Sequence, residues 1–300
     1  MARARMHDDE IATDADLVRA LLRSQFPRWA DRTIAYVDSY GTDHDIYRLG
    51  EDLSVRLPRI GWAADQARKE GEWLPRLAPH LPLAVPEQVG LGAPEHGYPF
   101  VWSVCRWLPG RSAAGGIDDI GDLGRTADDL AGFIRALQSI PTAGAPPRAF
   151  GARGGPHVER DKAVRRAIAA LGDRIDGPAA LRSWQRSLDV GPHEGPEVWV
   201  HGDLLPGNLI VDAGRLSGVI DFGGLAAGDP ACDLQPAWNV FAGPSRARFR
   251  AALEVDDAGW ARGRGWALSQ ALIALPYYWN TNPGIVAQAQ RALAQVVADA

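Results

Sequence analysis

Apolar residues recur with two different periods along the chain, and the dominant period changes near residue 108. A helical apolar face after Thr13 predicts an opening helix that is capped by Thr13 and ends at Pro27. Short strand-like runs follow, separated by Gly41 and Gly50, and they predict an antiparallel meander. The predicted strands lie at residues 34–37, 46–49, 53–57, 85–91 and 100–107, with a charged helix inserted at 63–77.

Helical periodicity dominates the rest of the chain beyond residue 124, apart from a β-rich stretch at 198–224. The predicted helices lie at residues 127–139, 161–171, 179–188, 245–253 and 259–274. We therefore predict an α+β protein with a small β-rich domain at residues 1–107 and a larger helical domain at 108–300. Ligands tend to bind in a cleft between two such domains.

The composition is that of an ordinary globular chain, because 46% of the 300 residues are apolar and 23% are charged. A net charge of −5 argues against a nucleic-acid partner, and no apolar run approaches the roughly 20 residues that span a membrane. The chain has 32 basic residues, of which only Lys69 and Lys162 are lysines.

Two cysteines, Cys105 and Cys232, are too few for a disulfide framework or a thiolate zinc site. The first residues lack the apolar core of a signal peptide, so we expect a cytoplasmic protein. Nothing in the sequence indicates the oligomeric state.

The candidate chemistry lies within residues 198–233. The sequence His201-Gly202-Asp203 is followed by Asn208 and, thirteen residues later, by Asp221-Phe222-Gly223. Apolar runs at 209–211 and 216–220 flank a turn at 212–214 and predict a hairpin. This hairpin would return Asp221 to the neighbourhood of Asn208, so that both residues and Asp203 converge on one point.

Phosphoryl transfer requires such a set, because its catalysis consists mostly of positioning and charge neutralisation. Asp221 and Asn208 offer the hard oxygen ligands that Mg²⁺ prefers, and Asp203 can accept the proton of an attacking hydroxyl or orient it. Either short motif alone is usually a structural turn. A metal-hydrolase site would need more ligands than the one histidine, His201, that this segment offers.

The skeleton resembles the protein-kinase pattern H-R-D-x-x-x-x-N … D-F-G, with Gly202 in place of the arginine. Together with the later Gly-Asp-Pro-x-x-Asp that ends at Asp233, it is similar to the aminoglycoside phosphotransferase family, the small-molecule branch of the protein-kinase-like fold. The resemblance extends from about Tyr40 to the last helices.

The resemblance implies a bilobal α+β fold, with a small antiparallel N-terminal lobe that carries one inserted helix and a larger, mostly helical C-terminal lobe. It implies ATP and Mg²⁺ as cofactors, Asp203 as the catalytic residue, and Asn208 and Asp221 as metal ligands. It also implies that Asp233 braces the backbone of the catalytic loop. Asp229, just before Pro230, is typical of a helix N-cap.

The same resemblance assigns two charged residues of the first lobe to nucleotide binding. Strand alternation places Arg56 opposite Val55 and Leu57, where the kinase pattern has lysine, and its planar fork suits phosphate oxygens. Glu70, rather than Glu72, matches the family's E-x-x-x-L-x-x-L pattern and would hold that cation. A surface arginine and a solvated helix carboxylate are the structural alternatives.

A loop and a strand complete the implied nucleotide site. Gly41, in the loop at residues 40–47, would lie over the phosphates, although this loop is no more than a hairpin turn when read alone. The strand near residue 105 would hold adenine, with Cys105 behind the base, the Arg106 carbonyl as acceptor and the Leu108 N–H as donor.

The acceptor site is left open by the sequence, and so is the identity of the small-molecule hydroxyl. The candidate acids are Asp118, Asp119, Glu159, Asp161, Asp256 and Asp257, and the other candidates are Arg262, Trp266, Tyr277, Tyr278, Trp279 and Asn282. Each of these residues also has an ordinary structural interpretation, as a solvated carboxylate or a core aromatic.

Three functions remain open: a kinase that acts on an aminoglycoside or related antibiotic, a metabolic kinase for choline, homoserine or a sugar, and a non-catalytic pseudokinase. An acidic rim around the acceptor would favour polyamines, an aromatic box choline, and a basic rim acids.

Overall fold

The computed structural model describes residues 5–7, 9–38, 41–115 and 120–299, which form two compact units. Unit 1 consists of Met1–Pro79, Ala84–Pro109 and Gly218–Gly223, and unit 2 of His80–Leu83, Gly110–Ser217 and Gly224–Ala300. The short third segment of unit 1 carries Asp221, whereas Asp203 and Asn208 belong to unit 2.

Unit 1 is built on the five-stranded antiparallel sheet that the sequence predicts, with the strand order β1-β2-β3-β5-β4. Its strands are β1 (Ile34–Val37), β2 (His44–Leu49), β3 (Leu53–Pro58), β4 (Gln88–Gly92) and β5 (Trp102–Arg106), and its helices are α1 (Ala15–Gln25) and α2 (Gln66–Leu77). Leu21 of α1 packs with Val55, Leu57 and Val104 of the sheet in one hydrophobic core. Alternation along β3 therefore buries Val55 and Leu57 in this core. Arg56, between them, belongs to the opposite face of the strand and does not contribute to this core.

The start of α1 differs from the prediction. Asp14 is the N-cap and accepts the N–H of Leu17 at 2.8 Å, whereas the Thr13 hydroxyl donates to Asp45 at 2.6 Å. Asp45 is fully buried in an ion pair with Arg59, and a buried carboxylate needs donors for its remaining lone pairs. The Thr13 hydroxyl therefore hydrogen-bonds to Asp45, a residue distant in sequence, and does not cap the helix.

Unit 2 is mostly helical, and its described helices include all five predicted ones. They are α3 (Leu123–Ser139), α4 (Asp161–Leu171), α5 (Gly177–Asp189), α6 (Pro236–Asn239), α7 (Gly243–Leu253), α8 (Asp257–Tyr278) and α9 (Pro283–Ala298). The sequence prediction stopped α8 too early and missed α9, whose many alanines give little contrast between its buried and exposed faces. Among the described residues, no helix is both long and apolar enough to cross a membrane.

Two small sheets interrupt these helices. One pairs β7 (Val198–Val200) with β10 (Ala226–Gly228), and the other has the order β6 (Arg111–Ser112), β8 (Leu209–Asp212), β9 (Arg215–Val219). The predicted hairpin is present, and its turn residues Ala213 and Gly214 both have positive φ angles, 48° and 76°. Two successive positive φ angles match the right-handed twist of the paired strands.

The core of unit 2 contains a buried histidine, and we expect it to make the free energy of unfolding fall as the pH is lowered. His157 is buried between Trp184 and Trp266, at ring-centroid distances of 5.3 and 5.2 Å, and burial lowers its pKa to about 4. A pKa below that of the unfolded chain makes the unfolded state bind more protons between about pH 6.5 and 4. The stability contributed by neutral His157 is therefore present above about pH 6.5 and is lost as the pH falls toward 4.

We expect His157→Gln to lose less unfolding free energy than the wild type between pH 7 and pH 4, by about 3 kcal/mol. Denaturant titrations at a series of pH values measure this difference, and the exposed His96→Gln is the matched control. Identical pH slopes for the wild type and the His157 variant would rule out this assignment.

Candidate active site

The backbone of the loop before Asp203 is held by one buried carboxylate. Asp233 accepts the N–H of His201 at 2.8 Å and the N–H of Gly202 at 2.7 Å, and its side chain is fully buried. Burial raises the pKa of Asp233 to about 7, although both N–H donors and the charge of Arg153 favour its ionised form. The bracing contact predicted for Asp233 is therefore present.

Gly202 is required where the protein-kinase pattern has arginine. Its φ angle is +80°, a left-handed conformation that side chains rarely adopt. A Cβ atom there would lie 3.0 Å from Cδ of Arg153 and 3.2 Å from the carbonyl oxygen of Gly224. Both the backbone conformation and the limited space thus disfavour an arginine at this position.

Both carboxylate oxygens of Asp203 have partners in unit 2. Oδ2 accepts from Nδ2 of Asn208 at 3.1 Å, and Oδ1 lies 3.0 Å from Nη2 of Arg153. The backbone N–H of Asp203 donates to Nδ1 of His201 at 3.1 Å, so the imidazole proton of a neutral His201 is on Nε2. These contacts fix the orientation of the carboxylate, whose Oδ1 atom is buried, and the side chain as a whole keeps 15% of its surface exposed.

The amide of Asn208 is oriented in a way that suits a metal ligand. Its Nδ2 donates to both the carbonyl oxygen of Asp203, at 2.8 Å, and the Asp203 carboxylate. Because both contacts use the nitrogen, the amide oxygen Oδ1 remains available as a neutral, hard ligand. The residue lies at the end of a short 3₁₀ helix, Pro206–Asn208, which fixes its backbone.

Asp221, in unit 1, has a backbone conformation that is rare for a residue with a side chain. Its φ angle is +64°, and such conformations cost on the order of 1–3 kcal/mol unless the surroundings impose them. The next N–H, of Phe222, donates to Oε1 of Glu70 at 3.1 Å. Lys69 donates to the carbonyl oxygen of Gly223, so the two residues that follow Asp221 are both tied to α2.

The predicted ion pair between Arg56 and Glu70 is present and almost completely buried. Oε2 of Glu70 contacts Nη1 of Arg56. The Arg56 side chain is 12% exposed and the Glu70 side chain 3%. Glu72, the alternative, is exposed and pairs with Arg76. Burial lowers the pKa of Arg56, but the negative charges of Glu70 and Asp221 outweigh this effect and raise it.

The remaining predicted nucleotide residues also lie in unit 1. Gly41 is exposed, and the neighbouring Tyr40 lies outside the described residues. Cys105 is buried, which raises its thiol pKa. The Arg106 side chain points outward to Glu87, at 2.8 Å.

The backbone near the predicted hinge leaves one donor available. The N–H of Trp107 donates to the carbonyl oxygen of Asp52 at 2.8 Å. The described part of the chain contains no hydrogen-bond partner for the N–H of Leu108. This backbone pattern is compatible with the predicted role of Leu108 as the adenine donor.

The acids considered for the acceptor site have structural partners wherever the structure describes them. Glu159 pairs with Arg148, and Asp161 binds Arg165 and the indole of Trp184. Asp256 caps α8, and Asp257 pairs with Arg250. Asp118 and Asp119 lie outside the described residues.

The aromatic candidates also have structural contacts in unit 2. Trp266 is fully buried, Tyr277 and Tyr278 pack edge to face, and Trp279 lies under Arg174. Asn282 caps α9, and Arg262 pairs with Asp229, which also caps the following 3₁₀ helix as predicted. These contacts give no sign of a polar-aromatic acceptor pocket.

Sequence reasoning missed three side chains that contact the catalytic loop. Arg153 reaches Asp203, while Gln235 and Gln270 donate to the carbonyl oxygen of Gly202 at 3.0 and 3.2 Å. Arg153 and Gln235 belong to no predicted periodic pattern or motif, and Gln270 lies in the predicted helix 259–274 at a position that carries no motif. The only local signal for Arg153 is indirect. Gly202 leaves space in the catalytic loop, and a side chain from another segment can fill that space.

Asn208 of unit 2 and Asp221 of unit 1, each taken by itself, have the chemistry of a ligand for a magnesium ion that is bound mostly by a nucleotide and water. Among the described residues, no group of three or more His, Cys, Asp and Glu side chains gathers as a metal site. One carboxylate and one amide oxygen are typical of protein-poor Mg²⁺ coordination, which relies on phosphates. Asp221 and Asn208 supply these two donor types.

Known proteins that are similar to this chain belong to the family that the motif at residues 201–233 resembles. A profile of the phosphotransferase enzyme family matches residues 37–266. An aminoglycoside 3'-phosphotransferase of Salmonella typhimurium is 30% identical over 226 residues, which cover 64% of this chain and 82% of that protein. One from Escherichia coli is 30% identical over 151 residues, which cover 46% and 52%.

Solved structures confirm the predicted fold class. The GDP complex of aminoglycoside 2'-phosphotransferase-IIIa superimposes with a TM-score of 0.74 at 18% identity, covering 96% of this chain and 99% of that one. A macrolide 2'-phosphotransferase type I gives a TM-score of 0.62 at 20% identity, covering 96% and 98%. The fold is the α+β, protein-kinase-like fold of these enzymes, and the chain belongs to the phosphotransferase enzyme family.

Proposed function

We propose that this enzyme transfers the γ-phosphate of ATP, bound with Mg²⁺, to a hydroxyl group of a small molecule. The observation that carries the proposal is the fixed and partly exposed carboxylate of Asp203, held by Asn208 and Arg153 on a loop braced by Asp233. A carboxylate on a rigid loop suits phosphoryl transfer, which depends mainly on positioning.

In the proposed reaction, Asp203 accepts a hydrogen bond from the acceptor hydroxyl and orients its oxygen toward the γ-phosphorus. A bond forms between that oxygen and phosphorus, and the bond from phosphorus to the β–γ bridging oxygen breaks. ADP leaves with the bridging oxygen, and the hydroxyl proton passes to the Asp203 carboxylate and then to water. General-base assistance of this kind typically contributes about 10²–10⁴-fold to the rate.

Asn208 and Asp221 would hold the magnesium ion, through an amide oxygen and a carboxylate. The ion supplies charge neutralisation on the phosphate oxygens. Arg56, kept cationic and fixed by Glu70, would contact phosphate oxygens with its planar fork. Gly41, Cys105, Arg106 and Leu108 are proposed to complete the nucleotide site.

The relatives support an aminoglycoside or a related antibiotic as the first acceptor class to test. Both curated relatives at 30% identity are named aminoglycoside 3'-phosphotransferases. Solved neighbours are named for complexes with GDP, ADP, ATP, kanamycin and gentamicin. We place the reaction in the cytoplasm, since the two cysteines are free thiols and such thiols fit a reducing compartment.

A γ-phosphate transfer assay tests the proposal. Purified protein, Mg²⁺ and radiolabelled ATP or GTP are incubated with kanamycin, gentamicin, a macrolide, choline, homoserine and a sugar. We expect labelled product with at least one acceptor and none without Mg²⁺. Tight nucleotide binding without transfer to any acceptor or to water would favour a non-catalytic nucleotide-binding protein.

A further inference from the structure

The guanidinium of Arg153 lies against the carboxylate that the proposed function places at the reacting hydroxyl. Its Nη2 is 3.0 Å from Oδ1 of Asp203 and 3.5 Å from Oε1 of Gln270. The Arg153 side chain is 31% exposed, so it is not sealed inside the core of unit 2. Arg153 belongs to the segment between α3 and α4, outside the catalytic motif.

The stem of Arg153 is held by two glycines. An ideal Cβ atom on Gly202 would lie 3.0 Å from Cδ and 3.1 Å from Cβ of Arg153, and one on Gly224 would lie 3.0 Å from Nη1. The arginine thus fills the space that side chains at these two positions would occupy. This packing fixes the guanidinium beside Asp203.

Two other acids on segments that pack near this arginine are already paired with arginines. Asp229 pairs with Arg262 at 2.8 Å, and Glu159 pairs with Arg148 at 3.4 Å. A second guanidinium, of Arg160, has no carboxylate partner in the described part of unit 2, and its pKa is lowered to about 10 by burial and by the nearby charge of Arg153. Apart from Asp203 itself, these acids are therefore paired with arginines, and Arg153 places a positive charge directly beside the position of the reacting hydroxyl.

We propose that Arg153 is a specificity-determining residue that disfavours acceptors with a positive charge next to the reacting hydroxyl. This inference rests on the proposed role of Asp203. A hydroxyl within hydrogen-bond reach of that carboxylate lies within about 6 Å of the guanidinium. An ammonium group beside that hydroxyl lies at most about 3 Å farther away, and at an effective dielectric constant near 20 the repulsion weakens its binding by on the order of tenfold. Neutral acceptors avoid this repulsion, and an anionic group can accept hydrogen bonds from the fork.

The test compares two acceptors that differ in charge and keep the same hydroxyls, kanamycin and kanamycin with acetylated amino groups. Calorimetric affinities and the KM and kcat of transfer are measured for the wild type and Arg153→Gln. We expect the variant to bind kanamycin about tenfold more tightly, with a matching fall in KM, and to bind the acetylated compound within about twofold of wild type.

Arg153→Lys should keep the charge selectivity, because it keeps the cation. Arg153→Met should lose it while keeping an apolar stem that packs against Gly202. Arg248→Gln removes an exposed arginine of the same unit and is the matched control for net charge. Thermal unfolding establishes that each variant is folded.

The ratio of the affinities for kanamycin and acetylated kanamycin is compared between each variant and the wild type. The proposal would be overturned if this ratio were the same as in the wild type for both Arg153→Gln and Arg153→Met. It would also be overturned if no variant bound kanamycin. Failure of the wild type to phosphorylate any hydroxyl would refute the proposed function instead. In that case, the calorimetric ratio still decides whether Arg153 selects by charge.

Discussion

Replacing Asp203 by asparagine is expected to lower kcat for phosphate transfer by about 10²–10⁴-fold while leaving nucleotide affinity within about twofold of wild type. An amide has nearly the size of the carboxylate, so the braced loop and the contact with Asn208 can persist. It cannot accept a proton, however, and it removes the charge that orients the acceptor. Transfer kinetics with the acceptor found in the panel, together with nucleotide calorimetry, measure the two effects separately.

The matched control is Asp212→Asn, an exposed aspartate at the end of β8 in the same unit. We expect this control to keep wild-type kinetics. Near-normal turnover in the Asp203 variant would remove Asp203 from the reaction. A loss of nucleotide affinity equal to the loss of turnover would place it in nucleotide binding instead.

The second large effect is expected at the buried ion pair of unit 1. Glu70→Gln should lower the free energy of unfolding by about 3–5 kcal/mol, because it leaves the Arg56 cation buried without its counter-charge. The glutamine oxygen can still accept the N–H of Phe222, so the change isolates the charge. It should also raise the KM for the nucleotide, since Arg56 is no longer held in place. Denaturant unfolding and steady-state kinetics measure these two quantities.

Glu72→Gln, two residues away on the same helix, is the matched control. Its exposed pair with Arg76 should contribute less than about 1 kcal/mol. The double variant Arg56→Met, Glu70→Leu should recover much of the lost stability, because no unpaired charge remains, but it should not recover nucleotide affinity. Equal stability losses in the Glu70 and Glu72 variants would contradict this account of the pair.

Local patterns in the sequence were sufficient to predict most of the strands and helices of the fold. Alternation and glycine spacing gave the antiparallel meander, and the hairpin after Asn208 followed from its Asp-Ala-Gly turn. The choice of Glu70 over Glu72 as the partner of Arg56 rested on the family pattern and agrees with the observed ion pair. The roles of Asp203, Asn208 and Asp221 in catalysis and metal binding remain predictions.

The features that escaped prediction depend on tertiary contacts. Thr13 gives its hydroxyl to the buried Asp45, because satisfying a buried carboxylate outweighs capping a helix. Arg153 reaches Asp203 from fifty residues earlier in the chain, and its segment has no periodicity that could assign it a partner. Charge pairing of this kind is fixed by the packed fold, so a single sequence does not reveal it.

The central claim is that Asn208 and Asp221 bind one divalent ion on the nucleotide whose phosphate Asp203 directs to the acceptor. A crystal structure with a non-hydrolysable ATP analogue and Mn²⁺, in which anomalous scattering locates the ion, tests it most directly. We expect an ion that contacts the phosphates, Oδ1 of Asn208 and the carboxylate of Asp221, at roughly the 2.1 Å typical of a hard octahedral site. An ion bound to the phosphates with neither side chain among its ligands would contradict it.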